Sequence, residues 1–280
     1  MRLLLFSCLL AAPASAADPK IQTDIVYGKA GDRELKLDMA VPTKGDGPFP
    51  VVVCVHGGGW RMGNKKDFHP WLPMLADQGF VAVSVGYRLA PDHCFPCQIE
   101  DCKTAVRFLR ANAEKYKIKK DRVGAIGYSA GGHLVSLMGL TDAKCGFEGK
   151  LYPDESSAVQ CVVDYFGPTD LAGFAKDDGA QRAMLGPLMG GPYKEKAADH
   201  DKASPINHVT KDAPPFLIFH GTKDWVVPID QSRTFADKLK KAGANVTYVE
   251  VPNESHGWVG QAAAVTTAET LGFFKKHLTK

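Results

Sequence analysis

The most constraining feature of the chain is a serine between glycines, where an apolar run meets a helical one. Residues 123–128 are apolar enough to form a buried strand, and a helix-like run begins at Ala130. The Gly-x-Ser-x-Gly pattern between them predicts a sharp strand-to-helix turn that exposes the hydroxyl of Ser129. Side chains at Gly127 and Gly131 would collide across such a turn. Ser129 is therefore expected at a helix N-terminus, where unpaired N–H groups favour negative charge.

Strand-like runs alternate with helix-like runs along most of the 280 residues. This alternation predicts right-handed crossovers and a mostly parallel sheet with helices on both faces. We therefore expect an α/β fold, with residues 17–280 forming one domain. Residues 21–27 and 33–41 suit an antiparallel hairpin at the sheet edge. Residues 171–215 have weak periodicity, and we interpret them as a small cap over the strand ends. Further strands are predicted at residues 51–55, 80–85, 123–128, 158–166, 216–220 and 246–251.

The N-terminus has the pattern of a secretory signal peptide. Arg2 supplies a positive start, residues 3–12 form a short apolar core, and residues 14–16 read Ala-Ser-Ala. We expect residues 1–16 to be removed near Ala16, and the mature protein to be secreted or periplasmic. No other stretch is long and apolar enough to be an integral membrane segment. The formal charge of +3, without a long basic run, gives no indication of nucleic-acid binding.

Six cysteines remain after the signal peptide, and an even number in an oxidising compartment suggests disulfides. Cys94, Cys97 and Cys145 lie in loop-like sequence, which favours pairing. Cys54 and Cys161 lie in strand-like runs, where a buried free thiol is the alternative. The spacing does not choose among the fifteen full pairings. No second Cys-x-x-Cys pair is present to complete a zinc site, and nothing else calls for a metal or an organic cofactor.

Polar loops follow four of the predicted strands. They are residues 56–60, 127–131, 220–227 and 252–258. In open parallel sheets, ligands bind beyond the carboxyl ends of the strands. We therefore expect these four loops to form one site around the serine.

A histidine and an aspartate are expected to activate the serine. A serine hydroxyl becomes a good nucleophile when a base takes its proton, and a carboxylate orients that base. If the catalytic residues follow the order serine, acid, histidine along the chain, the histidine must come after the acid loop, and only His256 and His277 do so. His277 lies in a lysine-rich chain end. His256 is therefore the predicted base. Three aspartates are candidates for the acid. Asp224 is the predicted acid, because it lies at the strand end that is nearest to His256 in sequence. Asp164 and Asp170 are the alternatives. Asp170 better suits a helix N-cap.

The glycine-rich loop at residues 56–60 is expected to bind the oxyanion. Attack on a carbonyl creates a negative oxygen, and each N–H donor to it contributes about 3–4 kcal/mol in the transition state. Glycines let the backbone approach the substrate closely. We predict an oxyanion hole formed by the N–H groups of Gly58, Gly59 and Ala130, with Trp60 as a further possibility.

Three aromatic residues flank the predicted site in the sequence: Trp60, Tyr128 and Trp258. They suit a substrate-binding wall for an acyl group, because aromatic side chains offer large apolar contact surfaces. Ordinary packing in the core is the alternative. The sequence leaves both interpretations open.

As a set, these motifs resemble the α/β-hydrolase esterases, in particular the bacterial group that contains bifunctional feruloyl and acetylxylan esterases. The chain is similar, more distantly, to hormone-sensitive-lipase-like carboxylesterases. The resemblance runs from about residue 21 to the C-terminus. It is carried, in order, by residues 56–60, 87–91, 127–132, 220–224 and 255–257. It implies an α/β-hydrolase fold, the triad Ser129, Asp224 and His256, and the oxyanion hole predicted above.

The resemblance also implies a function. We expect an exported serine carboxylic-ester hydrolase that works through an acyl-enzyme and removes acetyl, feruloyl or similar groups from polysaccharide or small esters. Only a short segment precedes the glycine loop, unlike in hormone-sensitive-lipase-like enzymes, so the site should be open. Trp60 is similar to the tryptophan of arylformamidases, which leaves amide hydrolysis as an alternative, beside a short-chain lipase or general carboxylesterase. A non-catalytic binding protein typically lacks a triad member, and here each is present.

Overall fold

The computed structural model describes residues 19–176 and 180–279, so the predicted signal peptide at residues 1–16 lies outside the described residues. In the described part, eight strands form one sheet. They are β1 (Ile21–Ala30), β2 (Arg33–Ala40), β3 (Phe49–Val55), β4 (Val81–Val85), β5 (Ile118–Tyr128), β6 (Cys161–Tyr165), β7 (Phe216–Gly221) and β8 (Val246–Val251). Their order in the sheet is β1-β2-β4-β3-β5-β6-β7-β8.

The sheet is parallel except at one edge. β1 pairs antiparallel with β2, and β2 with β4, while the neighbours from β4 to β8 all run parallel. β3 shows why these runs are apolar throughout: Val51, Val53 and Val55 pack into the core on one face, and Val52 and Cys54 into the core on the other. The predicted α/β fold, with its mostly parallel sheet and antiparallel hairpin, is confirmed.

Helices cover both faces of the sheet. The described helices are α1 (Trp71–Asp77), α2 (Cys97–Ala111), α3 (Ala130–Leu140), α4 (Leu171–Lys176), α5 (Ala180–Met189), α6 (Tyr193–Ala203), α7 (Asp230–Lys241) and α8 (Gly260–Leu278). α1 and α8 contribute buried side chains to the core on one face, and α2 to α7 to the core on the other. Among the described helices, none has the length and apolar character needed to cross a membrane.

The excursion expected at residues 171–215 contains the three helices α4, α5 and α6 between β6 and β7. The described apolar side chains of this excursion belong to the core of the main domain and form no separate core. Leu171 and Phe174 of α4, and Leu185 and Leu188 of α5, are buried in the same core layer as α3. The excursion is therefore packed onto the main domain, above the carboxyl end of β6.

The cysteines differ from the sequence expectation, because all six in the described residues are free thiols. Cys54 lies in β3 and Cys161 in β6, and β5 runs between these strands. Strands separated by a third are about 9–10 Å apart, beyond the roughly 4.4–6.8 Å that a disulfide spans between Cα atoms. Cys102 is buried in α2, in the core on the opposite face from Cys54. Burial raises the pKa of the Cys102 thiol, which disfavours the reactive thiolate.

Candidate active site

Ser129 lies on the sharp turn between β5 and α3. It has a φ of +53° and a ψ of −119°, a strained conformation for a residue with a side chain. Such strain costs about 1–3 kcal/mol, which the surrounding packing must offset. That packing leaves no space: a Cβ at Gly127 would overlap the carbonyl of Gly131, and a Cβ at Gly131 would overlap the carbonyl of Val55. The glycines of the motif are therefore required by backbone contact on both sides of the serine.

The three predicted catalytic residues are brought together by three separate loops. The Nε2 atom of His256 lies 2.9 Å from the Oγ of Ser129, and its Nδ1 lies 2.7 Å from Oδ2 of Asp224. An ionised carboxylate only accepts hydrogen bonds, so Nδ1 carries the hydrogen and Nε2 accepts the hydroxyl of Ser129. This tautomer places the basic nitrogen of His256 against the nucleophile.

Asp224 is held in its charged form although its side chain is buried. Burial alone raises the pKa of a carboxyl group, but hydrogen bonds from His220, from His256 and from the N–H of Val227 lower the pKa of Asp224 well below its ordinary value. The N–H groups of Val226 and Val227 donate to Oδ1 at 2.8 and 2.9 Å. The acid therefore remains a carboxylate at neutral pH.

His220 is a second histidine against the same carboxylate, and its role was only partly visible in the sequence. The Nε2 atom of His220 lies 2.9 Å from the carbonyl oxygen of Val227 and 3.3 Å from Oδ2 of Asp224. Its Nδ1 lies 2.7 Å from the Oγ of Ser232 on α7. Because a carbonyl only accepts, Nε2 must carry a hydrogen, which also faces Asp224. The four-residue spacing His-Gly-x-x-Asp was the available signal for this contact.

The two competing aspartates have other partners. Asp164 lies under the turn, where its Oδ1 accepts the N–H of Gly167 at 2.9 Å and Ser136 donates to its Oδ2 at 3.2 Å. Burial raises the pKa of Asp164 to about 6. Asp170 accepts the N–H of Gly173 at 2.8 Å and so caps the start of α4, as the sequence indicated.

The glycine-rich loop after β3 presents its backbone to the nucleophile. Gly58 and Gly59 have φ angles of +104° and +57°, which glycine adopts without strain. A Cβ at Gly58 would overlap the carbonyl of Met62. Ala130 is the first residue of α3, so its N–H belongs to the first turn, whose donors lack partners within the helix. Gly58 and Gly59 line the same cavity as Ser129.

Trp60 anchors this loop and does not reach the cavity. Its side chain is buried, and its Nε1 donates to Nδ1 of His133 on α3 at 3.2 Å. Nε2 of His133 in turn lies 2.8 Å from the carbonyl oxygen of Ala203. Burial lowers the pKa of His133 to about 4, so the ring stays neutral and Nδ1 can accept. Trp60 therefore connects the oxyanion loop to α3 and α6.

An open cavity of about 350 Å³ lies beside Ser129. Its walls combine apolar, glycine and basic residues: Gly58, Gly59, Arg61, Met62, Ser129, Phe166, Met184, Val226 and His256. A larger cleft of about 820 Å³ lies at the carboxyl end of α3, around Asp142 and Glu148, and contains none of these residues. The smaller cavity is the one that the nucleophile can reach.

The predicted aromatic wall lies behind this cavity instead of lining it. Tyr128 stacks on Phe68 at 4.9 Å between ring centroids. Trp258 packs against Phe166 at 5.3 Å, and its Nε1 donates to Oγ1 of Thr266 on α8. Like Trp60, both residues pack behind the site. Phe166, which lines the cavity and contacts the ring of His256, is the aromatic residue in the position where we expected Trp60, Tyr128 and Trp258. Among the described residues, no cluster of three or more His, Cys, Asp or Glu could hold a metal.

A mostly parallel sheet with a serine on the turn after β5, an aspartate after β7 and a histidine after β8 defines the α/β-hydrolase class. Within this class, the chain belongs to the BD-FAE family, whose family model matches residues 37–239.

Named relatives of the chain are esterases. It is 34% identical to esterase LipC of Mycobacterium tuberculosis over 84% of this chain and 59% of that protein. It is 34% identical to the probable carboxylic ester hydrolase LipM of the same organism, over 88% of this chain and 58% of that protein. The chain thus spans about three fifths of the length of these curated relatives.

Solved structures show the same likeness. A truncated carbohydrate esterase from gut microbiota is 30% identical, with a TM-score of 0.82, over 96% of this chain and all of that one. A bifunctional GH43-CE protein of Bacteroides eggerthii is 34% identical, also with a TM-score of 0.82, over 92% of this chain and 38% of that one.

Proposed function

We propose that the chain is a serine carboxylic-ester hydrolase. The observation that carries this proposal is the hydrogen-bonded line from Asp224 through His256 to Ser129, which ends at an open cavity. A carboxylate, a neutral histidine of the required tautomer and a serine hydroxyl are the groups that acyl transfer needs. The esterase names of the relatives agree with this chemistry.

The geometry supports a reaction through an acyl-enzyme. His256 takes the proton of Ser129 as its oxygen attacks the ester carbonyl, and the resulting oxyanion accepts hydrogen bonds from the N–H groups of Gly58, Gly59 and Ala130. The tetrahedral intermediate collapses, and the alcohol leaves with the proton from His256. Water, deprotonated by His256, then attacks the acyl-enzyme and releases the acid. Asp224 stabilises the imidazolium at each of these steps.

The substrate that we propose is a short or aromatic acyl ester, such as acetyl or feruloyl, on a polysaccharide or a small alcohol. Phe166, Met184 and Val226 give the cavity apolar walls, and its volume of about 350 Å³ suits a compact acyl group. Two structural neighbours are named as carbohydrate esterases or carry such a unit in a bifunctional chain. Trp60, the residue that favoured amide hydrolysis, is buried against His133, so it offers no substrate contact to distinguish an amide from an ester.

We also propose that the protein is exported. The support is the sequence of residues 1–16, with a basic start, an apolar core and the Ala-Ser-Ala site. N-terminal sequencing of the protein from the periplasm or medium of an expressing bacterium should begin near Ala17. A start at Met1 in a cytoplasmic fraction would contradict export without affecting the proposed reaction.

Kinetics of three variants test the mechanism. Ser129→Ala should reduce kcat/KM on 4-nitrophenyl acetate by at least about a thousandfold, because the nucleophile is lost. Asp224→Asn should reduce kcat by about ten-thousandfold, because His256 then loses its orienting acceptor. Asp170→Asn is the matched control, since Asp170 caps α4 and does not contact the histidine, and it should remain active.

A substrate panel tests the specificity. It comprises nitrophenyl acetate, butyrate and longer esters, acetylated xylan, methyl ferulate and N-formylkynurenine. A steep fall in rate beyond short chains would support deacetylation over lipolysis. Faster turnover of N-formylkynurenine than of every ester would replace the proposed function with amide hydrolysis. Full activity of Ser129→Ala would exclude the acyl-enzyme.

A further inference from the structure

Arg61 has a fixed place at the mouth of the active-site cavity. The N–H groups of Arg61 and Met62 donate to the carbonyl of Gly58 at 3.1 and 3.0 Å, which closes a tight turn directly after the oxyanion glycines. The preceding residue, Trp60, is buried against His133 and anchors that turn. The exposed side chain of Arg61 then lines the same cavity as Ser129. The hydrogen-bonded turn therefore fixes the backbone of Arg61 at the mouth of the cavity.

The guanidinium of Arg61 has no hydrogen-bond or ion-pair partner among the described residues. Two other cations close to this loop are paired: Lys65 lies 2.8 Å from Asp38, and Arg88 lies 2.7 Å from Asp101. Arginine offers five N–H donors in a planar fork that fits a carboxylate. An arginine aimed at a cavity with all of these donors unused is placed to bind an anion.

The described residues around the cavity place no competing negative charge in it. None of the described residues that line it is acidic. Asp224, the acid behind His256, has a buried side chain whose oxygens already accept hydrogen bonds from His256, Val226 and Val227. Among the described lining residues, Arg61 therefore supplies a positive charge at the open end of the cavity, and this charge attracts an anionic group.

The two parts of an ester would meet different walls. Phe166, Met184 and Val226 provide the apolar lining that suits the acyl group, whereas the side chain of Arg61 is exposed to solvent. The alcohol part of a polysaccharide or small ester must extend towards solvent, because it is the part that continues beyond the site. The charged residue is therefore placed for the alcohol part.

Building on the proposed ester hydrolysis, we propose that Arg61 is a specificity residue that binds a carboxylate on the alcohol part of the substrate. The substrate class is then an acyl ester of an acidic alcohol, for example an acylated acidic sugar. A charge-assisted, bidentate contact of this kind contributes about 1.5–3 kcal/mol, which corresponds to a preference of roughly tenfold or more.

The test compares two esters that differ only in this charge. Hydrolysis of 4-acetoxybenzoate and of 4-acetoxybenzamide passes through the same acetyl-enzyme, so the ratio of their kcat/KM values reports recognition of the alcohol part. Arg61→Gln should lower the acid-to-amide ratio by about tenfold, and Arg61→Lys by less, because lysine keeps the charge without the fork. Lys66→Gln, which removes an exposed cation of the same segment outside the cavity, should leave the ratio unchanged.

The outcomes separate this proposal from the proposed function. An unchanged ratio in Arg61→Gln, with the wild-type melting temperature, would overturn the role of Arg61 while ester hydrolysis stands. A loss confined to 4-nitrophenyl hydrogen succinate, whose carboxylate lies on the acyl part, would overturn the placement on the alcohol part. If the wild type hydrolysed neither aryl acetate, the proposed function would fail, and the role of Arg61 with it.

Discussion

The turn that carries Ser129 and the rim of the cavity above it lie side by side, yet they are built in opposite ways. Around the turn, a side chain at Gly127 or Gly131 would overlap backbone, and a side chain at Gly132 would overlap the carboxylate of Asp164. At the rim, Met62 is 67% exposed, and Trp225, which precedes the lining residue Val226 in the chain, is 80% exposed. The turn has no space for a side chain at its glycines, whereas the side chains at the rim make few contacts with the rest of the protein.

This difference separates the reaction from its specificity. The reaction needs Ser129 in a strained conformation, and close packing is what holds strain in place. Specificity depends on side chains that meet the substrate, so those side chains must be exposed. We therefore expect substitutions at the turn to change stability and all activity together, and substitutions at the rim to change the choice of substrate alone.

The largest effect is expected for Gly131→Ala. Its Cβ would overlap the carbonyl of Val55 in β3, so the turn or the sheet must move, and the free energy of unfolding should fall by about 4 kcal/mol or more. Gly272→Ala is the matched control, because a Cβ at Gly272 on α8 meets nothing within 4 Å. That change should stabilise the protein by about 0.5–1 kcal/mol through helix propensity. Urea unfolding of both variants measures the contrast, and similar losses would contradict it.

The same contrast decides what could be predicted from the sequence. The parallel sheet was visible because β3, β7 and residues 123–127 of β5 are buried runs made up almost entirely of apolar residues. Ser129, Gly58 and Gly59 were visible because tight turns demand glycine at fixed spacing, which leaves a contiguous pattern in the sequence. Local patterns of this kind can be recognised in the sequence without knowledge of the tertiary structure.

The cavity walls left no such pattern. Phe166, Met184 and Val226 come from three distant segments, and Met184 depends on how α5 packs, which sequence periodicity does not encode. Trp60 and Trp258 were predicted to contact substrate because they adjoin site residues in the chain. Neighbouring residues point in different directions, so both side chains enter the core instead. The disulfide expectation rested on loop-like sequence around Cys94, Cys97 and Cys145, which does not encode which thiols meet, and these three cysteines are free.

A smaller, pH-dependent effect is expected from Asp164 under the turn. Burial raises its pKa from the ordinary 3.8 to about 6. Between about pH 4 and 6 the unfolded chain has released this proton while the folded protein retains it, so the free energy of unfolding falls as the pH rises. Asp164→Asn keeps an acceptor for the N–H of Gly167 and removes the titration.

Urea unfolding from pH 4 to pH 7 measures this contribution. The stability of the wild type relative to Asp164→Asn should fall by about 1–3 kcal/mol over that range. Parallel stability curves for the two proteins would show that the carboxyl group is not held protonated under the turn. The rim residues do not contribute to this pH dependence, because Asp164 is buried and does not line the cavity.

The smallest change in stability, and a selective change in activity, is expected at Trp225. Its ring is 80% exposed and the next residue, Val226, lines the cavity, so we predict that the ring contacts a sugar that extends out of the cavity. Trp225→Ala should alter the free energy of unfolding by less than about 0.5 kcal/mol. It should lower kcat/KM on acetylated xylan relative to 4-nitrophenyl acetate by about three- to tenfold, the value of one aromatic contact. Val265→Ala, at a half-exposed position on α8 outside the cavity, should not change that ratio. Equal losses of kcat/KM on both substrates would mean that Trp225 supports Asp224. An exposed residue beside the cavity would then affect the reaction itself and not only the choice of substrate.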